Sequence, residues 1–156
     1  MKLKKALAPL ALAAAVALPM QASAMTHSIS TDLVRLVDNN MDGGMFNLYW
    51  QGSLSRTTAI RAGYSTGDDL SILDVTFKGY VDRYHQGAFY EAGLTWWDGA
   101  NDDDIGFMAA LGYERTLAKH IVAGGSVQMV AGVDEQVAGV AETPFFMPSL
   151  FVTFAF

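Results

Sequence analysis

Cysteine is absent from the 156 residues, so no disulfide holds this fold and no lipidated cysteine anchors it. Basic residues are scarce: Lys and Arg number 10 against 16 acids. Three of those bases, Lys2, Lys4 and Lys5, sit at the start of the chain. The remainder is strongly acidic, which argues against nucleic acid as a partner. Histidines number three, His27, His85 and His120. None of them falls in a long acidic loop where an enzyme could use it as a base. Beyond residue 24 no apolar run reaches the roughly 18 residues of a membrane-spanning helix.

The first residues carry a different pattern. Lys2, Lys4 and Lys5 form a basic start, Ala6 to Met20 an apolar core, and Ala22-Ser23-Ala24 a small-x-small cleavage site. This is the pattern of a secretory signal peptide, expected over residues 1–24, with one domain over 25–156. That domain is rich in glycine and aromatics, and half the chain is hydrophobic at 51%. Its apolar residues come in short alternating segments, the composition of a β-barrel.

Eight such segments are expected as strands: Ile29–Val37, Met45–Leu54, Ala59–Thr66, Leu70–Val81, Gly87–Trp97, Ile105–Glu114, Ile121–Val130 and Pro148–Phe156. Lengths of about 9–11 residues suit tilted membrane-crossing strands, and an even number suits a closed bacterial barrel. Parity separates two faces. Phe46, Leu48 and Trp50 oppose Asn47, Tyr49, Gln51 and Ser53. Leu73, Val75 and Phe77 oppose Asp74, Thr76 and Lys78, while Tyr90, Leu94 and Trp96 oppose Glu91, Gly93 and Thr95. In the last segment Leu150, Val152, Phe154 and Phe156 oppose Ser149, Phe151, Thr153 and Ala155. The larger apolar set is expected to face lipid and the polar set the lumen. A soluble ligand-carrying barrel would reverse the faces.

The connections sort by charge. Residues 38–44, 67–69, 98–104 and 131–143 carry acids and no Lys or Arg, whereas the intervening connections near Arg56, Asp82-Arg83 and Arg115 to Lys119 are mainly basic. A soluble barrel has no reason to sort its ends. With both termini periplasmic, the acidic set becomes extracellular.

Three groups are candidates for function. Arg61, Asp74, Lys78, Glu91 and Glu114 are expected to form a lumen charge network, with Arg35 and Asp32 beside it in a register left open. Buried charges of opposite sign should pair, so a salt-bridge plug is favoured over an ion path. Asp98, Asp102, Asp103 and Asp104 are candidate contacts for Mg²⁺ or Ca²⁺, although their spacing misses the calcium-loop pattern. Trp96, Trp97, Phe145 and Phe146 are expected as an aromatic girdle at one rim, with Tyr80, Tyr84, Tyr113, Phe154 and Phe156 at the other. Ser28 adjoins His27, but no third residue suggests a catalytic triad.

The small-x-small site, the eight alternating segments and the stretch Ser149-Leu150-Phe151-Val152-Thr153-Phe154-Ala155-Phe156 resemble the small eight-stranded outer-membrane barrels of the OmpA/OmpX type. Leu111-Gly112-Tyr113-Glu114-Arg115-Thr116-Leu117 is similar to a strand-to-turn stretch of that superfamily. The resemblance implies an all-β, eight-stranded antiparallel up-and-down transmembrane barrel in the outer membrane of a Gram-negative bacterium. It also implies outer-membrane lipids and lipopolysaccharide as surroundings, and Phe154 and Phe156 as a signal to the barrel assembly machinery. No cofactor is expected. Function is not inherited with such a fold. The leading expectation is a non-enzymatic barrel serving envelope integrity or surface interactions. The alternatives are an enzyme acting on lipid A or phospholipid, and a narrow channel.

Overall fold

Period-two alternation allows a strand one apolar and one polar face, and the chain resolves this by wrapping the polar faces inward. The computed structural model describes residues 27–38, 43–139 and 143–156. The expected signal peptide over residues 1–24 lies outside them. The strands are β1 (His27–Asp32), β2 (Phe46–Ser53), β3 (Thr58–Thr66), β4 (Ser71–Tyr80), β5 (Gln86–Asp98), β6 (Asp103–Ala118), β7 (Ile121–Ala131) and β8 (Phe145–Ala155). Each pairs antiparallel with its sequence neighbours, and β1 pairs with β8 to close the barrel. The closing seam runs on past the strand ends, where Phe156 N–H donates to the His27 carbonyl at 2.8 Å and His27 N–H to the Phe156 carbonyl at 3.0 Å.

Short connections close on local chemistry. Between β2 and β3, Leu54 N–H donates to the Thr58 carbonyl at 2.8 Å and Thr57 N–H to Ser55 Oγ at 3.2 Å, a hydroxyl-stabilised turn. Between β3 and β4, Gly67 N–H donates to the Leu70 carbonyl at 2.8 Å. Two short helices lie in the longer connections: α1 (Leu33–Val37) after β1 and α2 (Glu135–Ala138) before β8. Asp134 caps α2 through Gln136 N–H, and Gly139 ends it in the left-handed conformation at φ 67°.

Three expected boundaries are corrected. The first segment, Ile29–Val37, is a strand only to Asp32. Asp32 Oδ1 accepts from Val34 N–H at 2.9 Å, caps α1 and ends the strand. The reason lies in parity. Ser28, Ser30 and Asp32 face the lumen, so an unbroken strand would turn Arg35 outward onto an apolar face. The helical turn brings it inside, where it is buried. The second correction is that β6 continues to Ala118, so Arg115 lies in a strand and the connection shrinks to Lys119 and His120. Third, β8 begins at Phe145, three residues ahead of Pro148.

Outward parity leaves Phe46, Leu94, Leu111 and Leu150 each more than half exposed. Inward parity buries Asn47, Gln51, Arg61, Asp74, Lys78, Glu91 and Glu114. Polar inside and apolar outside reverses a water-soluble protein. Bulk is accommodated by inward glycines. The Tyr49 ring lies where a Cβ on Gly63 would sit, and the Phe89 ring lies where one on Gly112 would sit.

Candidate functional site

The lumen holds the chain's buried charge, arranged in tiers along the barrel. Near the end where α1 enters, Arg35 Nη1 lies 3.3 Å from Asp74 Oδ2 and donates to Ser65 Oγ at 2.9 Å. Its Nη2 donates to Gln128 Oε1 at 3.2 Å. Asp74 accepts in turn from Thr95 Oγ1 at 2.6 Å, and Thr95 accepts from Trp97 Nε1 at 2.8 Å. In the middle, Arg61 Nη1 meets both oxygens of Glu91, at 3.0 and 3.2 Å, while Thr76 Oγ1 also donates to Glu91. The Arg61 guanidinium stacks 3.9 Å from the centre of the Tyr49 ring. Toward the other end, Lys78 Nζ sits 2.6 Å from Glu114 Oε2. Glu114 Oε1 accepts from Tyr80 OH at 2.8 Å and lies 2.7 Å from His85 Nδ1. Lys78 also rests 3.8 Å from the centre of the Phe89 ring.

All five expected network residues therefore face the lumen, and each has a partner of opposite charge. Arg35 and Asp32 join them: Arg35 supplies the partner of Asp74, and Asp32 positions the helix that carries Arg35. His85 belongs to the network as well, although its place in a turn hides this in the sequence. It sits at φ 61°, uncommon for a residue with a side chain, and its ring turns inward. The signal was parity: 85 continues the inward series of Gly87, Phe89 and Glu91 beyond the start of the strand.

Buried apolar clusters lie toward both ends of the lumen. At the α1 end Met45, Ile72, Trp97, Met108, Val130 and Val133 form a buried apolar layer, with Val137 of α2 packed on it. At the other, Tyr80, Phe89 and Phe151 pack together under Tyr84. Burial holds the Tyr84 phenol above its ordinary pKa, so it stays neutral. The expected girdles are corrected accordingly. Trp97 and Phe145 form a T-shaped pair with centroids 5.8 Å apart in the lumen layer, and Tyr80 is likewise inside. Phe146, Tyr113, Phe154 and Phe156 do face outward and are more than half exposed.

The remaining candidates come out differently. His27 stacks outward between Trp50 and Phe156, while Ser28 faces inward beside the Tyr84 hydroxyl at 3.4 Å. Neighbours on a strand point to opposite faces, so this pair cannot act as nucleophile and base. Asp98 and Asp103 oppose each other at the β5–β6 hairpin end, Asp102 accepts from Asp103 N–H, and Asp104 accepts from Ile105 N–H and Asp134 N–H at 2.7 Å each. Asp104 thus ties two connections together. Among the described residues no group of three or more acids or histidines is placed to hold a metal ion.

No protein-family model and no curated protein matches the chain. Among solved structures, the crystal structure of the N-terminal β-barrel domain of Pseudomonas aeruginosa OprF is similar, with a TM-score of 0.59 at 12% identity. The match covers 87% of this chain and 100% of that one. The chain shares the fold of that β-barrel domain, a closed eight-stranded antiparallel barrel whose inward side chains occupy the lumen.

Proposed function

We propose that the chain is a non-enzymatic, non-conducting barrel of a Gram-negative outer membrane, serving envelope integrity or surface interactions. Both termini are periplasmic in this reading, and the acidic connections face outward from the cell. The observation that carries it is the inverted distribution of polarity. Three ion pairs are buried in the lumen, while large apolar side chains cover the outer wall. An aqueous exterior would expose that wall at great cost, whereas lipid covers it. The apolar clusters toward both ends of the lumen support the non-conducting reading. Among the described residues His27 and Ser28 point to opposite faces and do not pair as base and nucleophile, which supports the non-enzymatic reading.

The test is refolding of the purified protein into detergent, followed by gel mobility with and without heating and incubation with labelled lipopolysaccharide. The expected result is a fast-migrating unheated form that slows on boiling, with no acyl group released or transferred. Identical mobility before and after heating would overturn the membrane-barrel reading. Acyl transfer abolished by a His or Ser substitution would establish the enzyme instead.

A further inference from the structure

The β2–β3, β4–β5 and β6–β7 connections turn over at the end of the barrel where His27 meets Phe156. Each carries an exposed aliphatic side chain and, two positions on, an exposed base. The pairs are Leu54 with Arg56, Val81 with Arg83, and Leu117 with Lys119. The three aliphatics are 52%, 71% and 67% exposed, where a water-solvated turn favours Gly, Pro, Asn, Asp and Ser. On the outer wall of β6, Arg115 follows Tyr113 at the same spacing, and both are exposed. None of these bases forms an ion pair among the described residues. Asp82 is the one acid in residues 54–57, 81–85 and 117–120. The opposite end is acidic, with Asp68, Asp69, Asp102, Asp134 and Glu135 exposed.

We propose that this end of the barrel selects anionic phospholipids from the leaflet around it, its bases meeting phosphates and its aliphatics the acyl boundary. The partner must present negative charge above an apolar layer, and it must do so around the whole circumference. The three connections are two strands apart, so they ring the barrel rather than gather on one side. A free phosphate ion would find no convergent site among them. A soluble acidic partner would match the bases but not Leu54, Val81 and Leu117. A leaflet matches both, because long basic side chains reach its headgroups while the neighbouring aliphatics enter its acyl edge. The negative surface of such a leaflet attracts bases beside it and repels the acidic end. The inference rests on the membrane-barrel reading. The orientation proposed above makes the leaflet the periplasmic one, and its phosphates those of glycerophospholipids.

The experiment refolds the chain into mixed micelles holding equal amounts of phosphatidylglycerol and phosphatidylethanolamine. Native mass spectrometry then counts the lipids each barrel retains. Phosphatidylglycerol should be favoured about fivefold as the first bound lipid, as one base beside an anionic surface implies. A variant combining Arg56→Gln, Arg83→Gln and Lys119→Gln should bring that ratio close to one. A second variant, with Leu54→Ser, Val81→Ser and Leu117→Ser, should retain less of both lipids at an unchanged ratio. Equal retention of the two lipids by the parent, an unchanged ratio in the first variant, or undiminished retention in the second would overturn the proposal. Impermeant labels beside Arg56 on intact cells decide the source of the phosphates. No reaction is expected; reaction would put this end beside lipopolysaccharide and overturn the phospholipid assignment. Heat-dependent gel mobility of each sample reports the barrel separately, so failure of lipid selection leaves that reading standing.

Discussion

Glu114 gathers three partners in the lumen. It is 1% exposed and meets Lys78, Tyr80 and His85 with its two oxygens. Glu114→Gln would leave the Lys78 ammonium against Phe89 and Phe151 without its ion-pair partner. Breaking one side of a buried pair costs about 3–5 kcal/mol, whereas replacing the whole pair by apolar groups is often close to neutral. Glu114→Gln and Lys78→Met should therefore each lower the guanidinium unfolding midpoint in detergent, and the double variant should recover part of the loss. Additive destabilisation in the double variant would show that the two groups do not act as a pair.

At the scale of single elements, α1 and the β1–β8 seam each make a separate demand. The helix brings Arg35 to Asp74, so Arg35→Leu should leave the Asp74 carboxylate at 3% exposure without its ion-pair partner, keeping the bond from Thr95. A loss of about 3–5 kcal/mol in unfolding free energy is expected, with the strand content by circular dichroism unchanged. Asp32→Ala acts on the same helix through its cap and should cost about 1 kcal/mol. The seam poses a different question. Phe156 pairs with His27 through its backbone, and its ring stacks on His27 and Phe154 outside the barrel. Phe156→Asp keeps the backbone bonds and places a charge near the interface, at about 0–1 kcal/mol. Refolded stability should change little while the amount assembled in the outer membrane drops. Normal assembly in cells would remove any role for this residue as a signal to the assembly machinery.

For the molecule as a whole, the expectation is electrical silence and a fixed orientation. Eight strands enclose about enough space for their own side chains, and here that space also holds three ion pairs between two apolar layers. Planar-bilayer recording of the refolded protein should give no stable conductance steps. Reproducible steps altered by Glu91→Gln would replace the plug with a channel. Labels inserted at residues 99–102 should react with impermeant reagent on intact cells, and labels beside Arg56 should not. Reversed access would invert the proposed orientation.

What the sequence determined by itself was whatever depends on a period of two and on charge. The eight strands, their faces, and the inward position of Arg61, Asp74, Lys78, Glu91 and Glu114 were legible because each strand residue's side is set by its neighbour's. The tertiary structure alone decided which charges meet. Arg35 pairs with Asp74, Arg61 with Glu91 and Lys78 with Glu114 because cross-strand register and the closure of β1 on β8 set their heights in the lumen. It also decided that the first segment, which alternates poorly, stops as a strand at Asp32, the cap of α1. Trp97 and Phe145 read as girdle residues because strand ends and rims coincide in sequence. Their parity, shared with Thr95 and with Ser149, already pointed inward, and the closed barrel showed the buried apolar layer that they complete there.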